Sequence, residues 1–266
     1  MAKKDSTAKT LLVALGVCFV ASILVSTAAV ELKPIQEKNK ELDLLKNILS
    51  AGNLYEEGIN INKTFEEKVS AEIVDLKTGD VIPSSEYDDV LNVEQFNIKN
   101  LAASKKWGED IPASDDIAGI KRKPKAMAVY RVMDDSNRVE KYILPIYGKG
   151  LWSTLYGFVA LDKDLHTIKG FTFYQHGENP GLGGEVDNPK WKASWDGKQA
   201  FDANGDLMIQ VIKGKVDPTS SKAKYEVDGL SGATLTTRGV DNLVRFWLSD
   251  KGYGPFINKL KGENNG

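Results

Sequence analysis

Near the C-terminus, Asp228-Gly229-Leu230-Ser231-Gly232-Ala233-Thr234 places an acid, two hydroxyls and several small residues directly ahead of a segment with helical periodicity. Glycine and alanine leave room for another group to come close to the backbone. A helix that starts here turns its free N–H groups and the positive end of its dipole toward residues 234 to 237, which favours an anion. The string therefore describes a phosphate site. A Ser/Thr helix cap after a glycine turn uses the same residue types and stays open as the plainer reading.

Three further groups of residues could share that chemistry. His176-Gly177-Glu178-Asn179-Pro180-Gly181-Leu182-Gly183-Gly184 reads as a Pro-Gly turn or as a loop against a ligand. Gly148-Lys149-Gly150-Leu151-Trp152 sets an aliphatic and an aromatic residue after two glycines, and its tryptophan fits a structural core. Lys213 and Lys215 follow a strand-like run, and their spacing points both to one face, where one could neutralise a phosphate. Solvated charges at a sheet edge explain that pair too. His176 has no companion at ligand spacing and reads as a structural polar residue.

DGLSGAT resembles the flavinylation motif D-x-x-[ST]-G-A-[TS] of the FMN-binding domain family, in which the last hydroxyl residue accepts flavin mononucleotide. Every defined position matches. ENPGLG is similar to that family's E-T-P-G-L-G segment, with Asn179 in place of the threonine, and GKGLW is similar to a third segment. The resemblance implies FMN joined through its phosphate to the Thr234 hydroxyl, transferred from FAD by a separate magnesium-dependent flavin transferase. Thr234 would then be an attachment point and not a catalyst. Asp228 and Ser231 would serve transferase recognition or loop geometry. Cofactor contacts are expected from Gly150, Leu151 and Trp152, from Glu178, Asn179, Gly181, Leu182 and Gly183, and from Ser231, Gly232, Ala233, Leu235, Thr236 and Thr237, with Lys213 and Lys215 beside the phosphate. The hydroxyls of Thr236 and Thr237 would be free to bond it. A phosphoester leaves the isoalloxazine chemistry untouched, so protein contacts must set its potential.

The elements that must hold these residues are legible as runs. Val69 to Leu76, Ala126 to Val132, Tyr142 to Tyr147, Tyr156 to Leu161, Ile168 to Tyr174 and Leu207 to Ile212 read as strands, with a hairpin loop at Asp134 to Arg138. Val240, Leu243, Val244, Trp247 and Leu248 form an apolar stripe at helical spacing, and Trp191 and Trp195 can share one helical face. Ser85 to Lys123 is polar and reads as loop with short helices. Strands without regular helical crossovers predict an α+β fold, with a mixed or antiparallel sheet packed by helices. This soluble domain is expected over residues 56–266, with its FMN-binding region at about 145–250.

Ahead of it, no charge interrupts Thr10 to Val30, a run that would span about 30 Å as a helix. A short tail at 1–9, a transmembrane helix at 10–32 and a linker helix at 33–55 are expected, the linker opening at Pro34 and stopping at Gly52. A cleaved signal peptide is the competing reading, given Lys3, Lys4 and Lys9 before the run and Ser26-Thr27-Ala28 at its end. The run exceeds the usual h-region of about 7 to 15 residues, which favours a retained helix. Lysines on its two sides balance, so charge alone does not orient it.

Composition narrows the rest. With 35 Lys and Arg against 37 Asp and Glu there is no broad cationic surface, so nucleic acid is not an expected partner. A single cysteine, Cys18, excludes a disulfide or a cysteine-ligated cluster within the chain. HExxH, GxGxxG and GxxxxGK[ST] are missing.

The anchor, GLW, PGLGGE and SGAT together resemble the flavoprotein subunits of sodium-translocating NADH:quinone reductases, more than the corresponding subunits of Rnf ferredoxin:NAD oxidoreductases. The resemblance implies a single-pass protein of a bacterial inner membrane with its domain on the periplasmic side. Its flavin would relay single electrons between redox centres of neighbouring membrane subunits. Oxidation of NADH, reduction of quinone and export of sodium would belong to the assembly. A non-redox extracytoplasmic binding module is the alternative of another class.

Overall fold

A computed structural model describes residues 7–94 and 96–264. The start of the expected tail, with Lys3 and Lys4, lies outside the described residues. The chain divides into two compact units, Met1–Leu44 and Leu45–Gly266.

Helix α1, Thr7–Ala51, supplies the whole described part of the first unit. Its apolar side chains, among them Leu12, Leu15, Phe19 and Leu24, are exposed, and among the described residues it is the one helix long and apolar enough to cross a membrane. That fits a single-pass anchor, because such a surface has no favourable partner in water. Pro34 lies inside α1 and does not open a second helix. Proline removes one backbone N–H, while Glu31, Leu32 and Lys33 before it and Gln36, Glu37 and Lys38 after it are good helix formers, so the helix continues through the gap.

In the second unit the last turn of α1 is buried through Ile48, Leu49 and Ala51. Helix α2, Ile61–Lys68, then leads into strand β1, Val69–Asp75. Helix α3, Ile98–Ala103, and the short strands β2, Gly108–Asp110, and β3, Arg122–Pro124, follow. Next come β4, Ala126–Met133, β5, Val139–Lys149, β6, Thr154–Asp162, and β7, Ile168–Gln175. The remainder comprises α4, Pro189–Ala193, β8, Gln210–Val211, β9, Glu226–Val227, α5, Thr234–Leu248, and α6, Gly254–Asn264.

β1, β4, β5, β6 and β7 form a 5-stranded antiparallel sheet in the order β1-β4-β5-β6-β7. The expected α+β fold is the observed one. Strands read as near-continuous apolar runs because both sheet faces are covered. One face packs on α4, α5 and α6 through a core that includes Leu144, Ile146, Phe171, Trp195, Leu243 and Trp247. Against the other, Ile73 and Ala126 bury with Ile82, Leu91 and Leu101, so the segment expected as polar loop supplies a second core.

The strand expected over Leu207 to Ile212 contracts to β8, which pairs in parallel with β9. The Val211 N–H faces away from β9 and donates to Asp241 Oδ1 on α5 at 2.7 Å, Ile212 N–H still donates to the Val227 carbonyl at 3.0 Å, and Gly214 then turns the chain at φ +95°.

Helix α5 lies on β5 at backbone distance. A side chain at Gly148 would meet Leu243, and one at Gly239 would meet the Lys149 carbonyl and Gly150. The Trp247 indole donates to the Tyr147 carbonyl at 2.6 Å, and the Tyr253 hydroxyl donates to the Pro145 carbonyl at 2.8 Å. Gly148→Ala should therefore cost about 1–3 kcal/mol by overpacking. Gly262→Ala in α6, which meets nothing within 4 Å, should be neutral or slightly stabilising. Denaturant unfolding of the full chain in detergent checks the pair.

Candidate functional site

The antiparallel pairing brings the site to one end of the sheet. β5 ends and β6 begins at Lys149 opposite Thr154, so Gly150-Leu151-Trp152-Ser153 is the connecting turn, closed by Gly150 N–H to Ser153 O at 2.8 Å. β7 ends beside the start of β6, with Gln175 opposite Tyr156, and delivers His176 to Gly184 to the same end. The contact of Gly239 with Lys149 and Gly150 sets the first turn of α5 against that hairpin.

Leading into α5, the DGLSGAT segment is held from several sides. Asp228 Oδ1 accepts from the Val216 N–H at 2.7 Å, and the Asp228 carbonyl accepts from the Trp191 indole at 2.8 Å. Gly229 N–H donates to Gly214 O at 2.8 Å. Trp191 itself stands edge-on to Trp195, which stacks on Phe171 at 4.0 Å. Asp228 thus has a structural role in this chain, whatever else reads it.

Gly232 turns at φ +73°, a conformation that other residues adopt only with strain. Its neighbour is Leu182, 3.1 Å from where a Cβ would stand. The glycine is thus required by the turn itself, which is a different reason from the open approach to a phosphate read from the sequence.

Thr234 is exposed at the first position of α5. The cap position falls on Ala233, and no side chain caps the helix. Elsewhere in this unit Asn60, Asn97 and Asn188 cap α2, α3 and α4 through their side chains. Neither Ser231 nor Thr234 plays that part, so the plainer reading of the motif as a Ser/Thr cap does not hold. Ser231 is exposed, Ala233 is buried, and the free end of α5 presents its positive dipole beside the Thr234 hydroxyl.

Thr236 and Thr237, expected to be free for a phosphate, are buried and engaged. Thr236 Oγ1 donates to Glu178 Oε2 at 2.7 Å, and Thr237 Oγ1 accepts from the Leu230 N–H at 3.0 Å. Helical spacing puts Thr236, two residues on, across the helix from Thr234 and toward the domain, whereas Thr237, three residues on, shares the Thr234 side and is covered by the Leu230 backbone.

Glu178, expected as a cofactor contact, also faces inward. It is 6% exposed. Its carboxylate accepts from the N–H groups of Leu151, Trp152 and Ser153 at 3.2, 3.0 and 3.0 Å, and from the Ser153 hydroxyl at 3.1 Å. Burial alone would push its carboxyl up. The hydrogen bonds from Thr236, Trp152 and Ser153 together outweigh that and hold it below the ordinary value.

His176 is the structural residue expected: Nδ1 accepts from the Glu178 N–H at 3.2 Å, and Nε2 meets Asp187 at 2.7 Å. Ser153 is a participant that no local pattern in the sequence marks, since its Oγ also accepts from the Gly177 N–H at 2.7 Å.

The outward side is apolar. Leu151, Trp152, Leu182 and Leu235 are 40%, 64%, 46% and 54% exposed. They belong to the hairpin turn, the PGLGG loop and the first turn of α5, segments joined through the Glu178 side chain and in close contact at Gly183, Gly232 and Gly239. Gly181, at φ +75°, and Asn179 are exposed on the same loop, where the Asn179 carbonyl accepts from Gly184 N–H at 2.8 Å. Lys213 and Lys215 are exposed too, but they flank the Gly214 turn and not a strand, so the alternation that placed both on one face does not apply.

Residues 150–249 match the FMN-binding domain family. The NqrC component of the Na(+)-translocating NADH-quinone reductase of Pseudomonas aeruginosa is 50% identical, covering 99% of this chain and 100% of its own length. The chain belongs to the NqrC family. The Haemophilus ducreyi member is 42% identical over 97% of this chain and 96% of its own length. Among solved structures, Shewanella oneidensis NqrC superposes with a TM-score of 0.76 at 35% identity, covering 85% of this chain and 99% of that one. The Parabacteroides distasonis member gives 0.64 at 25% identity, covering 85% and 96%.

The residues present fit FMN. An exposed hydroxyl at an uncapped helix end suits a phosphate, and four exposed apolar side chains beside it suit a planar ring.

Thr236→Val should cost about 1.5 kcal/mol or more at pH 7, since it takes a donor from a charged acceptor. Glu178 is held below its unfolded value of about 4.3, so this contribution is complete above that pH and lost as pH falls through the folded value. The stability gap between wild type and variant should shrink between neutral and acid pH in denaturant titrations.

Proposed function

We propose that this chain is the membrane-anchored flavoprotein subunit of a sodium-translocating NADH:quinone reductase, carrying FMN as a phosphoester on Thr234. The observation that carries the reading is the placement of Thr234: an exposed hydroxyl at an uncapped helix N-terminus, framed by exposed Leu151, Trp152, Leu182 and Leu235. In the attachment step the Thr234 oxygen bonds to the flavin-side phosphorus of FAD. The phosphoanhydride bond breaks, AMP leaves with its electrons, and the hydroxyl proton passes to a base on the flavin transferase. The helix dipole then faces the phosphoester anion.

Bound FMN supplies reversible one-electron transfer. Leu151, Trp152, Leu182 and Leu235 shield one side of the ring from water, and Thr234 keeps it from diffusing away. Asn179, exposed on the PGLGG loop, offers an amide where relatives have a hydroxyl, and Lys213 and Lys215 lie on the loop that Gly229 and Asp228 tie to the motif. Asp228, Ser231 and Gly232 shape the segment that the transferase reads.

Helix α1 anchors the subunit in a bacterial inner membrane, with Leu45–Gly266 on the periplasmic side. Neighbouring membrane subunits supply the redox centres on either side of the relay. Catalysis belongs to the assembly.

The full chain made together with a flavin transferase should run as a fluorescent band after denaturation, and its tryptic peptide Tyr225–Arg238, which contains Thr234, should be heavier by one esterified FMN. Thr234→Ala should abolish both signals and Thr234→Ser should keep them. An unmodified wild-type peptide from such cells would sink the redox reading and leave the anchored binding module.

A further inference from the structure

We infer that Glu178 is a positioning residue: its buried carboxylate presets Leu151 and Trp152 against the turn that carries Thr234, and its charge holds down the reduction potential of a flavin placed there. The second half rests on the attachment proposed above, whereas the first does not.

Three successive N–H groups, those of Leu151, Trp152 and Ser153, converge on this one side chain. They belong to a hairpin turn, where the sheet ladder offers them no acceptor. One oxygen, Oε1, serves Trp152 and Ser153, while Oε2 serves Leu151 and the Thr236 hydroxyl on α5. A single carboxylate therefore joins the turn that bears the apolar rim to the helix that bears Thr234.

Its room is made by glycines of the motifs. A Cβ on Gly150 would stand 2.6 Å from Glu178 Oε1, and one on Gly183 would stand 2.9 Å from Oε2 and 2.6 Å from Thr236 Oγ1. Both glycines are expected from the sequence as cofactor contacts. In the structure they make room for Glu178. His176 completes the arrangement by accepting the Glu178 backbone N–H, with Asp187 beyond it.

A charge this deeply buried is tolerated only because its lone pairs are filled. A carboxamide cannot replace it: one oxygen becomes an NH2 that faces donors, so one of the two sets of bonds must break. A carboxylate one methylene shorter keeps the charge and loses the reach. The fixed negative charge lies immediately behind Leu151 and Trp152, where it opposes the arrival of an electron on their outer side.

Both halves can be tested with the full chain in detergent. In protein made without the transferase, amide exchange over residues 150–153 should be slow in wild type and at least tenfold faster in Glu178→Gln and Glu178→Asp. Exchange at Leu243 and Trp247 should stay at wild-type rates in both variants. In FMN-loaded protein, the midpoint potential should rise in Glu178→Gln and remain near wild type in Glu178→Asp. Wild-type protection at 150–153 in both variants, or a wild-type potential in Glu178→Gln, overturns the inference. If only one variant folds, its exchange rate still decides the clamp. A wild-type chain without flavin after co-expression defeats the attachment reading, and the exchange comparison then judges Glu178 alone.

Discussion

Contact between α5 and β5 at backbone distance is the constraint from which the site follows. Gly148 and Gly239 have no side chains, so the helix settles on the strand with Leu243 over one glycine and the Lys149 carbonyl against the other. Trp247 and Tyr253 then tie that half of the domain to the carbonyls of Tyr147 and Pro145. A helix seated this closely has little freedom to slide or rotate, and its first turn is fixed beside the Gly150 to Ser153 hairpin. Thr234 is exposed because the helix overhangs the sheet end there, while Thr236, on the inner side of the same turn, and Thr237, covered by the Leu230 backbone, are buried.

Two charges of opposite character meet at this helix end. The uncapped N-terminus of α5 carries the positive pole of the peptide dipoles, and Glu178 brings a buried carboxylate to its inner side. Each stabilises the other. The amides of 151–153 neutralise much of the carboxylate from the hairpin, which leaves the outer side of the dipole available for an anion on Thr234. A side-chain cap, such as Asn60, Asn97 or Asn188 supplies to other helices, would have spent that pole within the protein.

What could be read from the chain without coordinates was whatever has a period. All five sheet strands, the Asp134 to Arg138 turn and the α5 stripe appear as runs or spacings, because burial on two faces or on one stripe leaves that trace. The four exposed apolar residues were also within reach, once the motif strings were recognised. Convergence was not. Nothing in the spacing of Glu178 from Ser153 or Thr236 records that they share a carboxylate, since the pairing arises from strand order and helix placement. Periodicity also misled where local chemistry interrupts it. The Gly214 turn removed the alternation assumed for Lys213 and Lys215, and good helix formers on both sides carried α1 through Pro34.

The motif strings divide into two layers with different work. Ser153, Glu178 and Thr236 face inward and bond one another, with Gly150 and Gly183 packed close against them, while Leu151, Trp152, Leu182, Thr234 and Leu235 face outward. Rigidity in the inner layer is what gives the outer layer a shape without a ligand present. On the proposed attachment, a flavin held by a single ester bond would be free to rotate unless the surface beside it were already built. Bonds within the inner layer set the shape of that surface here.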